Sequence, residues 1–455
     1  MRQNILFTFL FMSTKKNGSY QAEDILCFPK DIEMIPHENK TLVLAVETGN
    51  WIVLYNDNQL KYFKCLLDGI AIGNVYETAE VESNLSDFLR VLSFIYARKF
   101  ALVGKVPQAK VIDASKYLNV YLTNACNLHC VHCFMNAGSK LSNELTSEKW
   151  KKTLDEFYNL GGEFVTFTGG EPTMYPQFEE VITHAHQIGL KVTILSNGLL
   201  WSQDKIQRTK TIIDEIQFSI DGVTEQENAK VRGKNNFQKV VDTVCCFANA
   251  DVKTSVATTF TWDNISTADE YKHFVDSIRS KVGDKVFFKL TKKMLPGRGK
   301  AFTDEENKRY YEQIDAIERH VDPTAGYANF IEGHEANVKI QNCGFGGLSI
   351  ASNGNVYFCN RIHEVDCFGN VNKESLVGLI QQGQKVLKAT AVENVSNCHN
   401  CMLRYICGGD CRIDHFNFKG HIKNWKSNII QTRCSEEFKD RLIKKMVDSF
   451  TFYYH

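Results

Sequence analysis

The sequence predicts an α/β chain built around a parallel βα barrel, with an α+β module before it and a cysteine-rich module after it. Three observations point there. Between Tyr117 and about Val321, short β-rich runs alternate with amphipathic helical stretches, the pattern of a parallel sheet with crossover helices. Eight of the 15 cysteines fall within Cys343–Cys434, a local density that reaches the level of a metal or disulfide scaffold. Finally, 455 residues at roughly 150 per domain provide for about three units, each able to bury a core of its own.

Composition sets the class. Hydrophobic residues make up 43% of the chain and charged residues 23%, as in ordinary globular proteins. Lys+Arg at 53 equals Asp+Glu at 53, so net charge gives no reason to expect a nucleic acid or an acidic membrane as partner. The apolar run Ile5–Met12 is too short to span a bilayer, and no small-residue cleavage site follows it before Ser13-Thr14-Lys15-Lys16. It reads as a strand, with a cleaved signal as the rival. No other stretch nears the roughly eighteen apolar residues of a membrane helix, so a cytoplasmic protein is expected.

In the first unit, residues 1–114, Trp51–Leu54 and Lys61–Phe63 read as a small sheet and Leu85–Tyr96 as an amphipathic helix after it. Ser115-Lys116 is the join to a barrel of residues 115–325. Its six strand candidates are Leu118–Thr123, Glu163–Thr168, Lys191–Ser196, Glu215–Ile220, Lys253–Phe260 and Lys285–Leu290. Between them, Trp150, Leu154, Phe157 and Tyr158 recur at helical spacing after the cap residue Thr146 and before Gly161. Phe178, Val181, Ile182, Ala185 and Ile188 form a second stripe, and Phe237, Val240, Val241, Val244 and Phe247 a third. Six βα units predict a partial or complete barrel with its chemistry at the C-terminal ends of the strands. Residues 326–455 form the cysteine-rich unit.

Directly after the first barrel strand come Cys126, Cys130 and Cys133. Three thiols on a tight loop can meet one inorganic cluster, because soft thiolates select iron–sulfur or zinc over hard cations. In a reducing cytosol clustered thiols more often hold metal than bond to each other. A four-iron cubane has four corners, and this loop fills three. The alternative is a zinc knuckle that borrows His129 or His132.

Cys126-x3-Cys130-x2-Cys133 at the end of the first strand of a βα barrel resembles the radical S-adenosylmethionine (SAM) superfamily. Gly169-Gly170-Glu171-Pro172, Ser196-Asn197-Gly198 and Ser219-Ile220-Asp221-Gly222 follow at the next three strand ends, with Arg232 beyond them. The resemblance implies a partial (β/α)6 TIM-like barrel in which Cys126, Cys130 and Cys133 hold a 4Fe-4S cluster. It implies that the fourth iron is chelated by the amino and carboxylate groups of SAM, and that one electron then releases methionine and a 5'-deoxyadenosyl radical. In that scheme Gly169, Gly170 and Glu171 receive the SAM ammonium group, Ser196 and Asn197 bond the ribose hydroxyls, and Arg232 pairs with the SAM carboxylate. Ser219 and Asp221 complete the set, a turn-forming role for Asp221-Gly222 being the rival.

The C-terminal string runs Cys343-x10-Gly354-x4-Cys359, then Cys398-x2-Cys401-x5-Cys407-x3-Cys411, then Cys434. It resembles the SPASM domain, which holds two auxiliary 4Fe-4S clusters, so three such clusters and SAM are the implied cofactors. By the family's interleaved ligation, Cys398, Cys401, Cys407 and Cys434 complete one cluster while Cys343, Cys359 and Cys411 hold the other, one ligand short. Some relatives carry an extra cysteine near the position of Ser349. Here Cys367 donates the missing thiolate, or the site stays open to a substrate thiol. From spacing alone, a zinc site of Cys398, Cys401, Cys407 and Cys411 also remains open. Cys27, Cys65, Cys245 and Cys246 read as buried small hydrophobes.

Asn50–Tyr55, Leu66–Ile70 and Phe88–Leu92 resemble a winged-helix peptide recognition element of ribosomal-peptide maturases, which binds a leader peptide as an added strand. A generic cap on the barrel mouth is the rival. Together the resemblances imply a radical SAM/SPASM enzyme of oxidoreductase type that modifies a ribosomally made precursor peptide carrying a leader. Oxidative thioether or carbon–carbon crosslinking is favoured, with electrons from a flavodoxin- or ferredoxin-type reductant. The alternatives are formylglycine formation of the anaerobic sulfatase-maturation kind and a non-catalytic iron–sulfur or zinc protein. Met294-Leu295-Pro296-Gly297-Arg298-Gly299 resembles a stretch in SPASM relatives and reads as a basic turn without a catalytic role. Which peptide is modified, and which bond is made, are not legible in the chain.

Overall fold

The computed structural model describes residues 20–295, 297–299, 302–414 and 434–454. The strand expected at Ile5–Met12, and Pro296 of the Met294–Gly299 stretch, lie outside the described residues.

The first unit is an antiparallel meander of β1 (Ile32–His37), β2 (Lys40–Ala45) and β3 (Asn50–Leu54), followed by helices α1 (Asp57–Leu67), α2 (Ile72–Val81) and α3 (Leu85–Ala97). The strand expected at Lys61–Phe63 is instead the middle of α1. The Asn56 side chain accepts from the Gln59 N–H at 2.9 Å and opens the helix, and Tyr62, Phe63 and Leu66 share its buried side. Two β-prone aromatics, Tyr62 and Phe63, do not outweigh a cap followed by two turns of helical apolar spacing.

The barrel follows as β4 (Tyr117–Thr123), α4 (Ser147–Asn159), β5 (Phe164–Gly169), α5 (Phe178–Gln187), β6 (Lys191–Ser196), α6 (Gln203–Thr209), β7 (Glu215–Ser219), α7 (Glu225–Arg232), α8 (Phe237–Asn249), β8 (Lys253–Thr258), α9 (Ala268–Val282) and β9 (Val286–Leu290). The six strands pair in parallel and in sequence order, so five crossover connections link neighbouring strands. Thr146 caps α4 by accepting from the Lys149 N–H, and Trp150, Leu154 and Phe157 are buried against the sheet.

Two features tie the units together. The C-terminal unit contributes β10 (Leu348–Ile350), which adds in parallel to the free edge of β4, with Leu348 opposite Leu118. Hairpin partners β11 (Asn355–Tyr357) and β12 (Gly369–Asn370) extend the sheet to nine strands. The barrel and this unit therefore share one apolar core, which runs from Leu118 and Phe167 to Val356 and Leu379. At the other end of the chain, a helix over Glu436–Tyr454 buries Met446, Val447 and Phe450 against the first unit, with Phe450 edge-on to Phe94 at 5.1 Å. No helix among the described residues is long and apolar enough to cross a membrane.

Candidate iron–sulfur and SAM site

The C-terminal ends of the six strands open into one cavity of about 330 Å³. Cys126, Cys130 and Cys133 line it, together with Gly169, Gly170, Ser196, Asn197, Ser219, Asp221 and Arg232. Thus ten of the eleven residues expected at the barrel mouth face a common space. Glu171 alone does not.

The cysteine loop is closed at its base by Cys126 N–H to Gly138 O at 2.8 Å and Gly138 N–H to Asn124 O at 3.0 Å. Arg298, from the stretch read as a basic turn, straps it from outside. Its backbone N–H donates to Cys133 O at 3.0 Å, and its guanidinium donates to Cys130 O at 2.9 Å, Asn136 Oδ1 at 3.1 Å and Ala137 O at 2.5 Å. A Cβ on Gly297 would lie 2.5 Å from Phe134 Cα, so only glycine brings this strap so close. Sequence reasoning had the stretch and its arginine but no signal for the partner loop.

The glycine pair is explained by the same kind of contact. Gly169 has φ +128°, and a Cβ on Gly170 would meet Ala125 O at 2.2 Å, because the end of β5 lies directly against the start of the cysteine loop. The Glu171 carboxylate turns inward and is fully buried. It accepts from Thr173 N–H (3.2 Å) and Oγ1 (2.6 Å), from Ser196 Oγ (2.9 Å) and from Asn197 N–H (2.7 Å). Burial raises its pKa while those bonds oppose the rise. Three of these bonds fall on Oε1 and one on Oε2, so the carboxylate is held by the protein's own donors behind the cavity wall.

Ser196 is engaged by the same network. Its hydroxyl donates to Glu171 and accepts from Gly198 N–H at 3.1 Å and Trp201 Nε1 at 3.0 Å, which fills the one donor and two acceptor positions of a hydroxyl. Ser196 thereby ties Glu171 and Trp201 to the cavity wall that it lines. Asn197 joins the β6 end to the cysteine loop through Asn127 Oδ1 at 2.8 Å.

Asp221 is the ionic centre of the opposite wall. It is 1% exposed, and its Oδ2 accepts from Arg232 Nε at 2.5 Å and His132 Nε2 at 2.8 Å while Oδ1 accepts from Thr259 N–H at 2.7 Å. Burial works to raise its pKa, but the Arg232 guanidinium and the His132 ring hydrogen-bonded to it more than offset this and hold it below the ordinary carboxylate range. Asp221 thus does more than form a turn. Arg232, at the end of α7, stands close enough to Cys130 and Cys126 to feel both thiols. Burial pushes the Cys126 thiol up to about 11, so loading the loop with metal must release protons.

In the C-terminal unit the cysteines form two groups. Cys398, Cys401, Cys407 and Cys434 are mutual electrostatic neighbours. Cys411 hydrogen-bonds Cys343 instead, with Cys359 beside them. That bond holds the Cys343 thiol below its usual value against the effect of burial, with help from Arg412. Arg361 donates its backbone N–H to Cys359 Sγ and its Nη1 to Cys411 Sγ, both at 3.4 Å. Cys367 places its thiol on the Gly369 carbonyl at 3.2 Å, next to Tyr357, and Ser349 is a fully buried sheet residue bonded by Asn119 at 3.4 Å. Cys65, Cys245 and Cys246 are half-buried at the margins of the cores, less enclosed than expected.

The donor sets fit iron–sulfur clusters. Cys126, Cys130 and Cys133 are soft thiols that line one cavity wide enough for more than a single ion.

Comparison with known proteins agrees with this chemistry. Residues 120–275 match the family model of the radical SAM superfamily, and residues 342–402 match that of SPASM, an iron–sulfur cluster-binding domain. The mycofactocin maturase MftC of Mycobacterium tuberculosis is 31% identical over 194 residues, 41% of this chain and 47% of that protein. The sporulation killing factor maturation protein SkfB of Bacillus subtilis is 32% identical over 157 residues, 34% of this chain and 37% of that protein. This chain therefore aligns with less than half the length of either relative. In fold, the crystal structure of Streptococcus suis SuiB superposes with a TM-score of 0.50 at 16% identity, over 84% of this chain and 95% of SuiB. Residues 120–275 thus carry a radical SAM domain and residues 342–402 a SPASM iron–sulfur cluster-binding domain.

Proposed function

We propose that this protein is a radical SAM/SPASM enzyme that modifies a ribosomally made precursor peptide, by oxidative thioether or carbon–carbon crosslinking. The observation that carries the reading is the shared cavity at the barrel mouth, where three thiols on one loop face the Asp221–Arg232 pair across a single space. The names of MftC and SkfB, both maturation proteins, support a peptide as substrate.

Cys126, Cys130 and Cys133 would hold a 4Fe-4S cluster and leave one corner for SAM. When bound, the reduced cluster and SAM supply a 5'-deoxyadenosyl radical that takes hydrogen from an unreactive C–H bond. The chain's own residues position the cosubstrate. Arg232 uses Nε on Asp221, which leaves the two-pronged face of its guanidinium for a carboxylate. Backbone groups at Gly169 and Gly170 suit the ammonium end, since the Glu171 carboxylate is engaged behind them. Ser219 lines the remaining wall. Cys398, Cys401, Cys407 and Cys434 would hold one auxiliary cluster and Cys343, Cys359 and Cys411 another. Bound there, such clusters would supply acceptors for the surplus electron that oxidative coupling leaves. The first unit, with β1 at the edge of its sheet, would take the leader as an added strand, and a flavodoxin- or ferredoxin-type protein would deliver the starting electron.

The test is anaerobic purification with and without the triple change C126A/C130A/C133A, followed by reduction in the presence of SAM. Brown wild-type protein that releases 5'-deoxyadenosine, and a variant that does not, are expected. Coexpression with a short neighbouring reading frame and mass spectrometry of its product then identifies the bond. A wild-type protein that binds zinc and leaves SAM intact would refute the reading.

A further inference from the structure

Arg361 stands two residues after Cys359, and its donors reach two chain segments that each carry a cysteine. Nε, at 2.6 Å, and Nη2 grip the Glu364 carboxylate as a two-pronged fork on its own segment. Nη1 carries two hydrogens and has two acceptors on the other segment: Asp414 Oδ2 at 2.7 Å and Cys411 Sγ at 3.4 Å. The backbone N–H donates to Cys359 Sγ, also at 3.4 Å. One residue therefore donates to two of the three sulfurs of the Cys343, Cys359 and Cys411 group.

The arrangement is built to hold those donors still. Arg361 is 9% exposed, and because a guanidinium is planar, the grip on Glu364 also fixes where Nη1 points. Asp414 Oδ2 accepts a second time, from Lys293 Nζ at 2.6 Å, and Lys293 lines the barrel-mouth cavity. The formal charges of Arg361, Lys293, Glu364 and Asp414 cancel, so what the network brings to the sulfurs is oriented N–H donors. Hydrogen bonds to the sulfurs are among the determinants of an iron–sulfur reduction potential. A donor stabilises the more negative, reduced state of the sulfur it touches, and it acts at contact range.

We propose that Arg361 is a positioning residue of the Cys343, Cys359 and Cys411 site, whose hydrogen bonds to two sulfurs raise the reduction potential of the cluster bound there and of that cluster alone. The proposal rests on the reading that this group binds a cluster. In that reading Arg361 makes the centre a better electron acceptor, in a part of the C-terminal unit that Asp414 and Lys293 tie to the barrel mouth.

The experiment uses the full-length chain carrying C126A/C130A/C133A, so that only C-terminal clusters remain, reconstituted anaerobically with iron and sulfide. Adding C359A identifies which electron paramagnetic resonance signal belongs to this group. Redox titration of that signal and of the other auxiliary signal then compares the parent with R361M and R361K. In R361M the midpoint of the assigned centre should fall by at least a tenfold change in the reduction equilibrium, about 59 mV for one electron. The other centre should move by less than half as much. R361K keeps the charge but cannot both fork onto Glu364 and aim a donor at Cys411, so it should lower the same midpoint. A role of charge alone would leave R361K unshifted. Pulsed resonance on protein carrying isotopically labelled arginine nitrogen should show a coupling to the reduced centre that R361M abolishes. An unchanged midpoint in R361M or R361K, an equal shift at both centres, or a coupling that is missing in the parent or survives in R361M would overturn the proposal. If R361M does not assemble the centre, the midpoint in R361K decides, and assembly in neither variant would overturn the proposal by making Arg361 a requirement for folding the site. A parent whose signals C359A leaves unchanged would instead defeat the underlying reading of this cysteine group, and the proposal with it.

Discussion

Replacing Asp221 by Asn removes one negative charge from the wall of the barrel mouth and leaves the shape of the side chain almost unchanged. The carboxylate is 1% exposed, and the side chains that donate to its Oδ2, Arg232 and His132, are only 12% and 13% exposed. An Asn side chain has one oxygen. It can accept from the Thr259 N–H or from the Arg232 and His132 side, and its amide then meets donors with donors on the other face. Removing one partner of a buried ion pair costs roughly 3–5 kcal/mol, because the remaining charge stays in the interior uncompensated. At about 1.4 kcal/mol per factor of ten, the segment anchored by Asp221 should open more than about a hundredfold more often. Amide hydrogen exchange of the peptide covering residues 219–233, in the iron-free protein, measures this directly. The Asp221 pKa is depressed, so its stabilisation is complete above the unfolded value of about 3.9 and is lost as pH falls through the folded value. The difference between wild type and D221N should therefore be constant near neutral pH and vanish in strong acid. An exchange rate within about threefold of wild type at neutral pH would refute the claim that this ionic centre holds the wall.

Two further outcomes follow from the same geometry. Arg298→Lys keeps the charge but reaches one of the three acceptors of the guanidinium, so at about 1 kcal/mol for each partly exposed bond the cysteine loop loses about 2 kcal/mol. Iron should then pass to a chelator roughly thirtyfold faster from that loop, and an unchanged release rate would show that the strap is passive. Cys367→Ala should leave the auxiliary-cluster spectra unaltered, because that thiol rests on the Gly369 carbonyl; loss of one auxiliary signal would make Cys367 the fourth ligand after all.

The misread strand and the unforeseen contacts have different origins. The strands and helices of the barrel were legible because their signals are short-range: Trp150, Leu154 and Phe157 repeat at helical spacing, and the cap at Thr146 lies next to them. Lys61–Phe63 went wrong for want of reading Asn56 as a cap, a signal that was present in the sequence. Arg298 is different. Its acceptor at Cys130 is 168 residues away along the chain, and nothing local to either residue announces the bond. The addition of β10 to the edge of β4 is equally non-local, since Leu348 and Leu118 meet only through the sheet.

The sequence by itself determined the kind of chemistry: the number of thiols, their spacing, and the strand ends that carry them are properties of adjacent residues. The tertiary structure alone decided how each polar group at the barrel mouth is employed. A hydroxyl or carboxylate has a fixed number of hydrogen-bonding positions, and whether those of Ser196 and Glu171 are filled by the protein's own walls depends on partners from separate loops that only folding brings together.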